Sequence, residues 1–139
     1  MKKALELASV ASMIDLFNMD NIAILKELGY QVDVAANFVN GSITSDARVK
    51  AFKQELIDNG IDIYHIPIPR SIFKINKILK SYKLVKKLCS ENNYNIVHCH
   101  SPIGGVIARL AARKSRKNGT KVIYTAHGFH FFKGAPLKK

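Results

Sequence analysis

NIVHCHSPIGGVIARLAARKSRKNGTKVIYTA, residues 95–126, is the stretch of sequence that decides the fold. Its apolar runs at Asn95–Cys99 and Lys121–Ala126 predict two buried strands, and the amphipathic run between them predicts a helix at Ile103–Lys117. A strand, a helix and a second strand in this order form the repeating unit of a parallel sheet.

The same alternation of apolar and amphipathic runs extends through the rest of the chain. Nearly continuous apolar runs are typical of strands that helices cover on both faces, and Gly29 and Gly60 stand where two helices are expected to end. We therefore predict one α/β domain over residues 1–139, a Rossmann-like three-layer α/β/α fold with a mainly parallel sheet. Further strands are predicted at Ala4–Ala11, Gln31–Ala36 and Ile61–Ile66, and further helices at Ile14–Leu28, Ser45–Asn59 and Asn76–Asn92.

Composition and charge restrict the class of protein. An apolar fraction of 47% with 23% charged residues is ordinary for a folded globular domain. Residues 1–65 carry 6 basic and 9 acidic groups, whereas residues 66–139 carry 16 basic groups and one acid, Glu91. This asymmetry predicts a positive surface that attracts anionic lipid, a phosphorylated substrate or nucleic acid.

The two cysteines and the first apolar run bear on the compartment. Cys89 and Cys99 are too few and too widely spaced for a disulfide framework, which favours a reducing environment. Glu6 interrupts the first apolar run, and no run approaches the roughly 18 to 20 apolar residues of a membrane span. We therefore predict a cytoplasmic location.

Three loops follow predicted strands at the edge of the sheet where ligands of such folds bind. They are Ser9–Asp15, His98–Gly105 and Thr125–Gly134. In the second loop, Gly104 and Gly105 open a helix whose free N–H groups and positive dipole end suit a phosphate or a sugar hydroxyl. The alternative is that these glycines only permit close packing of the turn.

Four histidines near these strand ends raise the question of a metal site. His98 and His100 point to the same side of a strand, and His127 and His130 follow the next strand. The nearest carboxylate in sequence is Glu91, and Cys99 faces the opposite side of its strand, so we predict no metal. Histidines that bind substrate or donate hydrogen bonds at strand ends are the favoured interpretation.

The loop Thr125–Gly134 is the most unusual segment, because it holds two histidines and, between its two glycines, three phenylalanines. Such a loop either fills the core of its own domain or faces a partner domain, a lipid or a sugar ring. His127 stands at the end of its strand, where it suits contact with a developing charge.

The predicted helix at Asn76–Asn92 combines an apolar face with an excess of lysine. The apolar positions are Ile75, Ile78, Leu79, Tyr82, Val85 and Cys89, and no acid occurs between Ile66 and Ser90. Such an acid-free run predicts attraction to anionic lipid headgroups, with a merely solvated lysine face as the alternative. The membrane-binding residues predicted here are Arg70, Lys74, Lys77, Lys80, Lys83 and Lys87.

Several classes of enzyme lack support in this sequence. Paired carboxylates for acid and base catalysis are missing from the candidate loops apart from Asp15. The chain also lacks a phosphate-binding loop of the Walker type and the glycine fingerprint of dinucleotide-binding enzymes. Hydrolase and ordinary dehydrogenase functions are therefore disfavoured.

Three long runs resemble one enzyme family. VHCHSPIGGVIARLAARK, YTAHGFHFFKGAPL and ASVASMIDLFNMDNIAILKELGYQVDVAANF are similar to the N-terminal domain of family-four glycosyltransferases, retaining enzymes of the GT-B fold that build surface polysaccharides. The resemblance implies a two-domain enzyme whose N-terminal half receives the acceptor and whose C-terminal half, absent from this chain, binds most of the nucleotide-sugar. It implies that residues 1–139 alone are inactive.

The resemblance also implies roles for particular residues. His127 stands where such enzymes keep a histidine near the donor sugar and its phosphates, and it is our predicted catalytic residue. One departure is that the loop Ser9–Asp15 lacks the glycines that many relatives have there. The predicted substrate-binding residues are Ser12, Met13, Asp15, His100, Ser101, Gly104, Gly105 and Gly128.

The partners that follow from the resemblance are a nucleotide-sugar donor and a lipid-linked saccharide acceptor. The basic helix then resembles a membrane-docking helix, which places the enzyme on the inner face of the plasma membrane, with no cofactor and no nucleic acid expected. The alternative is a non-catalytic basic module that binds anionic membrane or nucleic acid. A receiver-like signalling domain is disfavoured, because the strand ends lack its acidic cluster.

Overall fold

Five parallel strands form the centre of the structure, a computed structural model that describes residues 2–69, 71 and 73–125. The order across the sheet is β3-β2-β1-β4-β5, and each neighbouring pair is parallel. The strands are β1 (Lys3–Leu7), β2 (Gln31–Ala36), β3 (Asp62–His65), β4 (Ile96–Cys99) and β5 (Lys121–Tyr124).

Helices cover the sheet on both faces, which confirms the predicted three-layer α/β/α fold. The first three helices pack on one face through a core that includes Ile14, Phe52 and Leu56, and the next two pack on the other through Val85 and Ile107. The helices are α1 (Ala11–Phe17), α2 (Met19–Glu27), α3 (Asp46–Asp58), α4 (Ile75–Asn92), α5 (Pro102–Ala111) and α6 (Arg113–Lys117).

Helix ends follow the sequence signals in most places. Gly29 and Gly60 each follow the residue that caps α2 or α3, with positive φ values of 90° and 75°, a backbone conformation that glycine adopts without strain. Ser45 begins α3 by accepting a hydrogen bond from the Arg48 N–H, and Ser101 begins α5 in the same way from Gly104.

Two predicted helices are each divided in the structure. The helix expected at Ile14–Leu28 is α1 and α2, separated by Asn18, whose backbone leaves the helical region and whose side chain is buried. The helix expected at Ile103–Lys117 is α5 and α6, separated by Ala112. Apolar residues continue on both sides of Asn18, so the pattern predicted α1 and α2 as one helix. The second break was not predicted because no glycine or proline separates α5 from α6.

The first predicted strand, Ala4–Ala11, was too long. The strand ends at Leu7, and Ala11 already belongs to α1. The apolar run continues beyond Leu7 because the chain stays buried as it turns into the helix, with Ala8 and Ala11 both at 0% exposure. Strand β2 has its predicted bounds, and β3 and β4 differ from theirs by one residue at one or both ends. Strand β5 ends at Tyr124, whereas its predicted end, Ala126, lies outside the described residues.

The centre of the sheet determines where a site can form. Strand β1 has β2 on one side and β4 on the other, so the connections leave it in opposite directions along the sheet. In open parallel sheets, ligands bind beyond the carboxyl ends of the strands at such a reversal. No helix in the described part of the chain is long and apolar enough to cross a membrane.

Candidate functional site

Strands β1 and β4 bring three ionisable side chains together at the point where the order of strands reverses. Glu6 pairs in register with His98, so both side chains leave the same face of the sheet, and His100 lies two residues further on the same side. Cys99 belongs to the core on the other face, as predicted.

Glu6 is the centre of this cluster, which we call the Glu6 cluster (Glu6, His98 and His100). Its Oε1 atom lies 2.7 Å from Nε2 of His100 and 3.0 Å from Nδ1 of His98. The two imidazole rings lie with their centroids 4.0 Å apart. The Asn18 side chain donates a further hydrogen bond of 2.5 Å to the same carboxylate oxygen. Asn18, the residue between α1 and α2, therefore provides a hydrogen-bond donor to Glu6 at the centre of the sheet.

The carboxyl group of Glu6 is fully buried, at 0% exposure. Burial by itself raises the pKa of Glu6, but hydrogen bonds from His100 and His98, together with their charge, outweigh it and lower the pKa below its ordinary value. The carboxylate is therefore ionised at neutral pH although it lies in the interior.

The Glu6 cluster reaches the end of β5 through Thr125. Nε2 of His98 lies 2.6 Å from Oγ1 of Thr125, whose backbone N–H donates to the Cys99 carbonyl. Thr125 is the first residue of the predicted aromatic loop. His127 and Gly128, predicted to contact substrate, lie outside the described residues.

The turn after β4 brings Ser101, Gly104 and Gly105 together with His100, and all four residues are buried. A Cβ atom on Gly104 would lie 2.6 Å from Oγ of Ser101, and one on Gly105 would lie 3.1 Å from the Tyr124 ring. Each glycine therefore has a packing neighbour within the chain. Contact of these residues with substrate stays a prediction.

Ser12 and Met13, predicted to lie in the loop after β1, belong instead to the first turn of α1, which begins at Ala11. Oγ of Ser12 accepts from the Ile43 N–H, and its own N–H donates to Oγ of Ser42. The side chain of Met13 packs against the core on this face of the sheet. The side chains predicted here to bind substrate are thus close to the edge of the sheet but already have partners.

Asp15, also predicted to lie in that loop, is likewise part of α1 and forms a paired interaction with Arg48. The Arg48 guanidinium donates hydrogen bonds of 2.8 and 2.7 Å to the two carboxylate oxygens of Asp15, and it also contacts Glu55. A substrate hydroxyl at Asp15 would have to share the carboxylate with this arginine. Its predicted role in binding substrate stays a prediction.

Helix α4 presents an exposed basic face. Among residues 2–69, 71 and 73–125, none of its lysines pairs with a carboxylate. Ile75 and Leu79, predicted to belong to the apolar packing face, are instead 62% and 52% exposed, because the helix packs through Ser81, Val85 and Leu88. The exposed lysines of this face are Lys74, Lys77, Lys80, Lys83 and Lys87; Arg70 lies outside the described residues.

An open cavity of about 390 Å³ joins the carboxyl ends of β2 and β3 to the start of α4. The amide of Asn37 is held there by a hydrogen bond to the Ile68 carbonyl. A second shallow cavity, of about 480 Å³, lies along α4 itself between Leu79, Lys83 and Lys87. The residues lining the first cavity include Asn37, Asn40, Gly41, Pro69, Lys74 and Lys77.

Sequence reasoning missed Glu6 and Asn18 as members of the site. The signal that could have revealed Glu6 was a charged residue inside an otherwise apolar strand. A buried carboxylate requires polar partners, so such a residue indicates a cluster around it. Glu91 is nearer in sequence to the histidines, but the parallel pairing of β1 with β4 makes Glu6 their neighbour in space. Only the order of the strands reveals that proximity.

Comparison with known proteins decides the family. A model of the family described as glycosyl transferase 4-like matches residues 6–139. The chain belongs to this family. The match includes the strand ends that carry the Glu6 cluster, together with α4 and the segment beyond Thr125.

Two curated relatives are longer than this chain. EpsD of Bacillus subtilis (strain 168), whose name assigns it provisionally to the glycosyltransferases, is 43% identical over 137 residues, which are 99% of this chain and 32% of that protein. UDP-Gal:alpha-D-GlcNAc-diphosphoundecaprenol alpha-1,3-galactosyltransferase of Escherichia coli is 31% identical over 77 residues, 55% of this chain and 19% of that protein. The chain thus spans about a third or less of the length of these relatives.

A solved structure supports the fold. The glycosyltransferase of Rickettsia africae superposes with a TM-score of 0.64 and 19% sequence identity, over 96% of this chain and 31% of that one. At this identity the likeness concerns the fold, and it agrees with the predicted Rossmann-like half of a GT-B architecture.

Proposed function

We propose that this chain is the acceptor-side domain of a retaining glycosyltransferase of surface polysaccharide synthesis. The enzyme would transfer a sugar from a nucleotide-sugar, such as a uridine diphosphate sugar, to a saccharide linked to a polyprenyl diphosphate. The nucleotide-sugar domain would lie outside residues 1–139, so this chain alone would be inactive. Family membership supports the transfer reaction, and the name of the Escherichia coli relative supports the lipid-linked acceptor.

One observation carries the choice of acceptor. The cavity beside Asn37 and Asn40 at the strand ends is also lined by Lys74 and Lys77 of the basic helix. A saccharide diphosphate in that cavity would meet amide groups on its sugar side and two ammonium groups on its phosphate side. A lipid tail could then leave toward the exposed face of α4.

The exposed part of α4 has the composition of a membrane-docking surface. Phe73, Ile75 and Leu79 are 86%, 62% and 52% exposed, and they lie among the lysines of the basic face. Each lysine close to an anionic membrane contributes about 1 kcal/mol of attraction, and the apolar side chains would enter the headgroup region. The enzyme would therefore sit peripherally on the inner face of the plasma membrane.

The proposed roles of single residues follow the resemblance to the family. His127 would donate a hydrogen bond to the donor sugar or its phosphates, while His100, Ser101, Gly104, Gly105 and Gly128 would line the cleft. Ser12, Met13 and Asp15 would approach the acceptor from α1, which follows β1. Protein cations and helix dipoles can neutralise a departing diphosphate, so the transfer needs no metal.

Flotation with liposomes tests the membrane part of the proposal. We expect the chain to float with anionic vesicles at low salt and less at high salt, because surface attraction is screened. A variant with Lys77, Lys80, Lys83 and Lys87 all changed to Glu should stay in the soluble fraction. The matched control reverses four basic residues of α6, Arg113, Lys114, Arg116 and Lys117, and so alters the net charge equally; it should still float.

The outcomes separate the proposed function from its alternative. If both variants lose binding to the same extent, the attraction comes from net charge alone and α4 is not a docking helix. If the parent binds nucleic acid as tightly as anionic vesicles, with a steep dependence on salt, the chain is a basic binding module. The loss of binding in the α4 variant alone supports an acceptor presented at the membrane.

A further inference from the structure

We propose that Glu6, His98 and His100 form a binding site for a divalent transition metal ion, with Zn²⁺ as the best match. Two imidazole nitrogens and one carboxylate oxygen form a donor set that zinc prefers. The candidate ligand atoms all lie within 4.8 Å of one another. A metal here does not depend on the proposed sugar transfer, which requires none.

The distances fit an ion after a small expansion. With zinc to ligand distances of about 2.0 to 2.1 Å, adjacent ligands of a tetrahedron stand about 3.3 Å apart. Oε1 of Glu6 is now 2.7 Å from Nε2 of His100 and 3.0 Å from Nδ1 of His98, the distances of direct hydrogen bonds. Separation by a few tenths of an ångström would make room for zinc without moving the strands.

The surroundings supply the outer contacts that hold metal ligands in place. Nδ1 of His98 faces Glu6, while its other ring nitrogen, Nε2, lies 2.6 Å from Oγ1 of Thr125. Asn18 donates to Oε1 of Glu6, the oxygen that also contacts both histidines. Such second contacts fix the orientation of ligating groups and typically contribute about 10- to 100-fold in metal affinity.

Burial and access are both consistent with a bound ion. The side chains of Glu6 and His100 are fully buried, so a charge between them requires compensation. The His98 side chain keeps 13% of its surface exposed, and Ile123 beside it on the same face is 46% exposed. The described residues supply three ligands, which leaves a fourth position of a tetrahedral ion for water.

Binding of zinc would change the proton on Nδ1 of His98, which provides a direct observation. Without metal, Nδ1 of His98 carries a proton that it donates to Glu6. With metal, Nδ1 is a ligand and carries no proton, while Nε2–H donates to Thr125. Nitrogen NMR of the ¹⁵N-histidine-labelled chain distinguishes these two states.

The experiment uses the 139-residue chain without a histidine tag, after treatment with a chelator. We expect calorimetric titration with Zn²⁺ to show one equivalent bound and the melting temperature to rise. Glu6→Gln and His100→Gln should lower the affinity by at least about 100-fold, and Thr125→Val by about 10- to 100-fold. His65→Gln, which removes a histidine outside the cluster, is the matched control and should bind as the parent does.

Several results would overturn the metal site. One is that the parent chain binds no more Zn²⁺ than the Glu6→Gln variant binds; another is that added Zn²⁺ leaves the His98 and His100 nitrogen resonances unchanged while it shifts others. Either result would make the cluster a purely hydrogen-bonded one. The NMR measurement uses only the parent chain, so it remains decisive even where a ligand variant fails to fold.

Discussion

At the scale of single residues, Asp33 and Tyr94 form a buried hydrogen-bonded pair that affects the stability of the fold. Tyr94 donates a hydrogen bond of 2.6 Å to one carboxylate oxygen of Asp33, and the other oxygen has no partner among the described residues. Burial raises the pKa of Asp33, although the Tyr94 hydrogen bond opposes that effect. The ionised carboxylate is therefore a cost to the folded state.

Asp33→Asn should stabilise the protein at neutral pH. A raised pKa means that Asp33 favours folding at pH values below its unfolded pKa, and that this contribution disappears as the pH rises through the folded value. The advantage of the Asn variant should therefore be largest near neutral pH and vanish in acid, below the ordinary pKa of 3.8. Urea unfolding of both proteins over this pH range measures the difference.

Tyr94→Phe changes the other member of this pair and should have the opposite effect on stability. It leaves the Asp33 carboxylate without its donor, and we expect a loss of about 1 to 3 kcal/mol in the free energy of unfolding at neutral pH. Combining it with Asp33→Asn should recover much of that loss. Equal stability of the parent and the Phe variant would show that the hydrogen bond does not form.

Ser101 and Gly104 interact at the first turn of α5 in a way that a double-mutant cycle can measure. A Cβ atom on Gly104 would approach Oγ of Ser101 to 2.6 Å, so Gly104→Ala should displace the capping hydroxyl in the parent. In a Ser101→Ala background that conflict is absent, and alanine should stabilise the helix by about 1 kcal/mol relative to glycine. Additive effects in the cycle would contradict the contact.

The buried thiols should be unreactive in the folded protein. Burial raises the pKa of both Cys89 and Cys99 to about 11, so little thiolate exists at neutral pH. Alkylation should be slow in the native state and rapid in denaturant. Fast native modification of either thiol would mean that its helix or strand opens readily.

At the scale of elements, most helices and strands could be predicted because their burial follows a period. Strand β2 coincides with its predicted bounds, since its apolar run is bounded by the glycine turn after α2 and the polar turn that begins at Asn37. The division at Asn18 could not be predicted in the same way, because the reason for it is a hydrogen bond to Glu6 on a strand 12 residues earlier. Local patterns contain no information on that contact.

The start of α3 offers a prediction for a single element. Oγ of Ser45 accepts from the Arg48 N–H at 3.1 Å, so Ser45→Ala should cost about 1 kcal/mol in the free energy of unfolding. Ser45→Asp is the matched control, because aspartate also accepts this bond and favours the positive end of the helix. Equal losses in the two variants would exclude capping as the cause.

At the scale of the whole molecule, the candidate site could be predicted only in part. The sequence identified the strand-end histidines and the basic helix, since both occur in continuous segments. It did not identify Glu6 as the partner of those histidines, because the pairing depends on β4 lying beside β1 rather than beside β3. Contacts between distant segments are a consequence of strand order, which no local pattern specifies.

Binding of the acceptor tests the central claim most directly. The measurement compares association of this chain with uncharged nanodiscs that contain either a polyprenyl-diphosphate-linked saccharide or the polyprenyl phosphate without saccharide. We predict saturable binding to the saccharide-linked lipid and much weaker binding to the phosphate alone. Equal binding to both lipids, or no binding to either, would contradict the assignment of this chain as the acceptor-side domain.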